Sequence, residues 1–270
     1  MQIFVRRSGK LHDISMQQQM ELSSLPKAKE SIEDQYQELL IRLEAYRREL
    51  ESEAEINYQE MVDYYTLWAH QIKTPIAAMK LLNQSDQIDR RAMEAELFKT
   101  EQYVEMVLSY LRAGNLSSDL VLQRYFLDEI AKKAIRKYSS LFILKKIELE
   151  FHPSKVEVLT DERWAVFVVE QILSNALKYT KKGKIIVQIK GDSIIVQDTG
   201  IGISREDLPR VMEKGFTGYN GRQDRKSTGI GLYLCKKIMK KLGHLIEIES
   251  EVGKGTTVIL NFGREFEIAE

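Results

Sequence analysis

The chain has 270 residues, enough for two ordinary domains, and its 40 Lys+Arg balance 40 Asp+Glu to a formal net charge of zero. That balance excludes a protein that grips nucleic acid through a basic surplus, and 30% charged with 43% hydrophobic residues excludes a disordered or intramembrane chain. The longest apolar run, Trp164 to Val169, is six residues where a spanning helix needs about 20, and the single cysteine, Cys235, excludes an intrachain disulfide or cysteine zinc cluster. One cysteine and no visible signal peptide point to a reducing, cytosolic setting.

Helix comes first in chain order. Only two of the fifteen glycines, Gly9 and Gly114, precede residue 120. From Leu39 apolar residues recur at Leu43, Tyr46 and Leu50, then at Tyr58, Met61, Tyr65, Trp68, Ile72, Ile76 and Met79. A second series runs Met93, Leu97, Thr100, Val104, Val107, Leu111. Steps of three and four mark the seam of a coiled coil or antiparallel bundle. Asn83-Gln84-Ser85-Asp86 reads as the loop between the series. The spacing therefore predicts a helical hairpin, approached by a long helix that begins beyond Pro26. One hairpin buries a single stripe, so two should pair as a parallel homodimer with a four-helix bundle at its centre.

After Gly114 the pattern changes. Strands are predicted over 121–126 and 147–151, with an amphipathic helix between them carrying Ile130, Ala134, Tyr138 and Leu141. Asp161 is a candidate cap for a helix running through Tyr179. Strands over 184–189 and 193–197 join through Lys190-Gly191-Asp192, a tight turn. A Gly-rich stretch, a helix over 231–242 and strands over 245–250 and 256–262 close the chain. The expected architecture here is an α+β sandwich, one sheet with helices on one face.

His70 lies inside the seam series but points about 160° away from the stripe, so an exposed imidazole is expected. Thr74 shares its face, and Pro75 frees the carbonyl of Gln71. In the second half, Gln171, Asn175, Lys178 and Tyr179 fall within two turns of one helix, where an amide and an ammonium can serve a metal ion and a phosphate chain together. Asp198-Thr199-Gly200-Ile201-Gly202 directly follows a strand; its carboxylate can accept from an adenine amine, and its glycines let a ring approach the backbone. Thr228-Gly229-Ile230-Gly231-Leu232 opens a helix whose amides suit phosphate oxygens. Each motif alone is an ordinary turn or surface; their order and spacing make the signal. His12, His152 and His244 lack ligand spacing and read as surface or strand-end residues, and Cys235 as core.

Taken together, these motifs resemble the cytoplasmic half of a bacterial sensor histidine kinase. His70 to Pro75 resembles the phosphoacceptor box, Glu170 to Tyr179 the N box, Asp198 to Gly202 and Thr228 to Leu232 the two glycine boxes, and Gly215-Phe216 the F box. The phrase from Tyr64 to Pro75 is similar to the intramembrane-sensing, bacitracin-sensor-like kinases of Firmicutes. The resemblance implies a multidomain chain: a linker over 1–57, an all-α dimerisation and phosphotransfer hairpin over 58–116, and a Bergerat-type ATP-binding sandwich over 117–270. It implies autophosphorylation of His70 from ATP with Mg²⁺, transfer to an aspartate of a cognate response regulator, and a phosphatase activity in which Thr74 positions water. Asp198, Gly200 and Gly202 would hold adenine, and Asn175 the Mg²⁺. Lys178, Tyr179, Gly229 and Gly231 would line the nucleotide, and Arg222, Arg225 and Lys226 would meet phosphate from a lid. Separately, Arg6-Arg7 suits a membrane surface by the positive-inside tendency, which would place membrane helices upstream; the resemblance further implies an ABC transporter as a sensing partner of the full-length protein.

Two residues depart from the family pattern. Gln71 stands where Glu or Asp usually follows the histidine, which puts the general base in doubt, and Gln171 replaces the first N-box asparagine. As an acceptor beside the imidazole, Gln71 predicts a slow kinase that a glutamate would speed about tenfold. The rival readings are an ATPase clamp of the gyrase or chaperone kind, which lacks a phosphoacceptor hairpin, and a degenerate kinase that only docks its regulator, for which Gln71 is the sole support.

Overall fold

The computed structural model describes residues 31–85, 89–114, 120–218 and 229–263. They fall into two compact units that meet between Thr66 and Leu67, inside a helix. His12, the Arg6-Arg7 pair and the lid residues Arg222, Arg225 and Lys226 lie outside the described residues.

The first unit is the leading part of α1 (Ser31–Asn83). Its polar face is laced by one-turn ion pairs: Glu38 with Arg42 at 2.6 Å, and Glu44 with Arg47 at 2.7 Å and Arg48 at 3.1 Å. The Arg47 hydrogen bond holds the Glu44 carboxyl down at about 2. The predicted seam residues Leu39, Leu43, Tyr46 and Leu50 are exposed in the single chain.

The second unit begins with the rest of α1, which runs through Pro75 without a break and packs antiparallel on α2 (Arg90–Gly114). Asp89 caps α2, accepting the amides of Arg91 and Ala92 at 3.0 and 3.1 Å. The sandwich follows as β1 (Gln123–Phe126), α3 (Leu127–Lys145), β2 (Glu148–His152), β3 (Glu157–Thr160), α4 (Glu162–Tyr179), β4 (Lys184–Lys190), β5 (Ser193–Asp198), α5 (Gly231–Lys241), β6 (Leu245–Glu251) and β7 (Gly255–Asn261). The five-stranded sheet has the order β2-β4-β5-β7-β6, with β2 parallel to β4 and every other pair antiparallel.

Alternation decides which face is covered. Ile185, Val187 and Ile189 on β4 and Ile194 and Val196 on β5 are buried under α3, α4 and α5, while their neighbours stay half-exposed. Each such side chain contributes about 1.5–3 kcal/mol when fully buried. Asp161 caps α4 as expected, accepting the Trp164 amide at 3.2 Å. Cys235 is completely buried on α5, and that burial pushes its thiol pKa up. The turn at Lys190-Gly191-Asp192 uses a left-handed Gly191, φ 55°.

Two features differ from the sequence expectation. A small second sheet pairs β1 with β3 antiparallel, and β3 was not foreseen. His244 stands at a strand end but is buried: its Nε2 lies 3.0 Å from Thr160 Oγ1 and its ring packs on Phe262.

Candidate functional site

The first site residue is His70, exposed on α1 as its phase predicted. Thr74 is exposed one turn on, and its hydroxyl donates to the His70 carbonyl at 3.4 Å. Gln71 faces the other way. It is buried, and its Oε1 accepts from the Tyr103 hydroxyl on α2 at 3.2 Å. The expected placement, an amide presented to the imidazole, is not the one seen, because a step of about 100° carries position 71 from the open face into the hairpin.

The sandwich holds a cavity of about 700 Å³ between α4, the end of β5 and the start of α5. Asn175, Lys178 and Tyr179 of α4 line it with Gln171, and the Lys178 ammonium sits 5.2 Å from the Tyr179 ring centroid. Apolar side chains, among them Val196, Ile201, Leu232 and Ile248, complete a slot suited to a flat ring. Asp198, 8% exposed, closes the inner end. Burial raises its carboxyl pKa; hydrogen bonds from the Gly200 and Thr256 amides oppose the rise. A buried acceptor among apolar walls is what recognition of a ring amine requires.

The glycines fall where expected but chiefly serve the fold. Gly202 has φ +70°, and a Cβ there would lie 2.1 Å from the Glu251 carbonyl oxygen. The Gly253 amide donates to Ile201 O at 2.9 Å across the same junction, stitching the loop to the β6–β7 turn. A Cβ on Gly200 would stand 2.6 Å from the Tyr179 carbonyl, and Gly200 does not line the cavity. Gly229 has φ +65° and packs against Gly215-Phe216, accepting the Gly215 amide at 3.1 Å. Gly231 opens α5 against Gln171 Oε1. Thus Gly202, Gly229 and Gly231 line the cavity while letting backbone segments close around it.

Sequence reasoning missed the outer wall. Tyr103 and Met106 of α2 line the same cavity, one position before the seam residues Val104 and Val107. Their signal was a second stripe on that helix, Tyr103, Met106 and Tyr110, stepped by three and four. α2 is tied to the sandwich by Gln102, which accepts from the Tyr138 hydroxyl at 2.6 Å, and by Lys137, which bridges Glu105 and Glu170.

Fold and cavity define a Bergerat-type ATP-binding domain joined to a helical hairpin. The family described as histidine kinase-, DNA gyrase B- and HSP90-like ATPase matches residues 160–265. The chain is 30% identical to the sensor protein BceS of Halalkalibacterium halodurans over 256 residues, 92% of this chain and 76% of that one. It is 32% identical to the sensor histidine kinase YxdK of Bacillus subtilis, over 83% and 70%, and to GraS of Staphylococcus epidermidis, over 90% and 72%. The chain belongs to the bacterial sensor histidine kinases, in the bacitracin-sensor-like group of Firmicutes. Its fold is shared with histidine kinase ThkA in a complex with response regulator protein TrrA (TM-score 0.54, 18% identity, 82% of this chain and 67% of that one). It is shared also with Acinetobacter baumannii histidine kinase AdeS (TM-score 0.50, 19% identity, 72% and 98%).

Proposed function

We propose that this chain phosphorylates itself on His70 from ATP and passes the phosphoryl group to an aspartate of its response regulator. An imidazole nitrogen attacks the γ-phosphorus, the bond to the ADP oxygen breaks, the electron pair leaves with ADP, and the imidazole proton goes to solvent. The observation that carries the reading is the pairing of an exposed His70 with a cavity lined by a buried carboxylate, Asp198. Asp198 accepts from the adenine amine, and Lys178 and Tyr179 face the nucleotide. The donor set fits Mg²⁺ delivered on the phosphates: the cavity offers the Asn175 amide, and among the described residues no three His, Cys, Asp or Glu gather to hold an ion alone. Mg²⁺ supplies charge neutralisation at the phosphates. Arg222, Arg225 and Lys226, outside the described residues, complete the set as phosphate contacts. Thr74, one turn beyond His70, positions the water that hydrolyses the regulator's aspartyl phosphate.

Residues 58–116 serve as the dimerisation and phosphotransfer domain and 117–270 as the catalytic domain. The exposed apolar side chains Ile76, Leu97, Val104, Leu108 and Leu111 support a homodimer that covers them. No described helix is long and apolar enough to cross a membrane. The subfamily supports a cytoplasmic region that follows membrane helices, with an ABC transporter as sensing partner. Incubation with γ-labelled ATP tests the kinase reading. Acid-labile, base-stable label is expected on the unaltered chain and none on His70→Ala; label that survives His70→Ala overturns the reading.

A further inference from the structure

Tyr103 is held at both ends by residues that bracket His70. Its carbonyl accepts from Trp68 Nε1 at 2.9 Å, and its hydroxyl donates to Gln71 Oε1 at 3.2 Å. Trp68 lies two residues before His70 on α1, and Gln71 directly after it. The same Tyr103, with Met106 one turn on, lines the nucleotide cavity. We infer that Tyr103 is a positioning residue for phosphoryl transfer, coupling the filling of the cavity to the rotational setting of α1 at His70. This rests on His70 being the acceptor, as proposed above.

The argument is geometric. Neighbouring helix positions differ by about 100°, so pinning the side chain at 71 and the indole at 68 fixes the azimuth from which the imidazole projects. Attack on phosphorus tolerates little misalignment: about 1 Å can cost 10²-fold. A group that touches both the cavity and the two pins is therefore placed to report occupancy to the acceptor. Burial raises the Tyr103 phenol pKa, and the Glu96 carboxylate adds to the rise. The hydroxyl thus keeps its proton and remains a donor at working pH.

Tyr103→Phe keeps the ring in the cavity wall and deletes the hydroxyl. At saturating Mg-ATP its rate of His70 labelling should fall about fivefold to tenfold, the worth of one hydrogen bond. Its KM for ATP and Kd for ADP should stay within about twofold. Gln71→Leu should lose a similar factor, and the double variant should be no worse than either single one, as for two ends of one contact. Full activity in Tyr103→Phe, a loss that tracks ADP affinity, or additive losses in the double variant would each overturn the inference. An unaltered chain that takes no label on His70 overturns the proposed function, and this inference with it.

Discussion

Asp198 Oδ1 accepts the Gly200 amide at 2.8 Å, two residues along its own chain, while its carboxylate lies buried in the cavity. The bond orients an acceptor whose ionised form burial disfavours. Burial raises the Asp198 pKa, so between the ordinary carboxylate value and the raised one the folded chain binds a proton that the unfolded chain has released. Stability falls as pH rises through that window. Asp198→Asn should therefore melt above the unaltered protein at pH 7 without nucleotide, and lose that advantage below about pH 4. Its ADP affinity should drop about tenfold or more, the loss of a hydrogen bond to a charged acceptor. Thermal melts with and without ADP check both halves.

Gly202→Ala separates support of the fold from approach of a ring. The left-handed backbone costs an alanine about 1–2 kcal/mol, and the backbone contact to Glu251 adds overpacking of about 1–3 kcal/mol. Urea unfolding of the nucleotide-free protein should show a loss of about 3 kcal/mol, with unfolding at lower denaturant. Undiminished stability with weakened ADP binding would instead assign Gly202 to the ligand.

Thr74→Ala should keep His70 labelling within about threefold and lose most dephosphorylation of the regulator. The hydroxyl can hold a water for in-line attack but is not needed when the imidazole attacks ATP. Its bond to the His70 carbonyl is long and exposed, so helix stability should barely change. Equal damage to both reactions would make Thr74 a local helix support.

Gln71→Glu is where the structure alters the prediction. Sequence alone favours a faster kinase; the buried site, bonded to Tyr103, favours a penalty for placing an ionised carboxylate inside the hairpin. The variant should lose about 1–3 kcal/mol at pH 8 and recover part of it near pH 5, where the carboxyl takes up a proton. Labelling of His70 should not rise. A tenfold gain with an unchanged melting temperature would restore the carboxylate-beside-imidazole picture.

Periodic elements were legible because burial imposes the period. The two hairpin helices and the helix capped by Asp161 all emerged from apolar spacing, and His70 from its phase against that spacing. β3 escaped because four residues, Glu157–Thr160, give only two inward positions, Val158 and Thr160. The glycines of both boxes were found, yet the close contacts they relieve are with Glu251, Tyr179 and Gly215. Those neighbours are distant in sequence and carry no local signal. Gln71 and Tyr103 share that difficulty: 32 residues separate them, and only the packed hairpin reveals their bond.

The outer wall made by Tyr103 and Met106 also bears on inhibitor selectivity. The family match that takes in DNA gyrase B- and HSP90-like ATPases covers residues 160–265, which include the apolar slot beside Asp198 but not α2. A competitor that fills only that slot meets chemistry common to all of them. One extended toward Met106 touches a surface contributed by α2. Added apolar contact there gains affinity at about 25 cal/mol for each Å² covered, and the gain depends on a wall that the matched ATPase region does not itself supply.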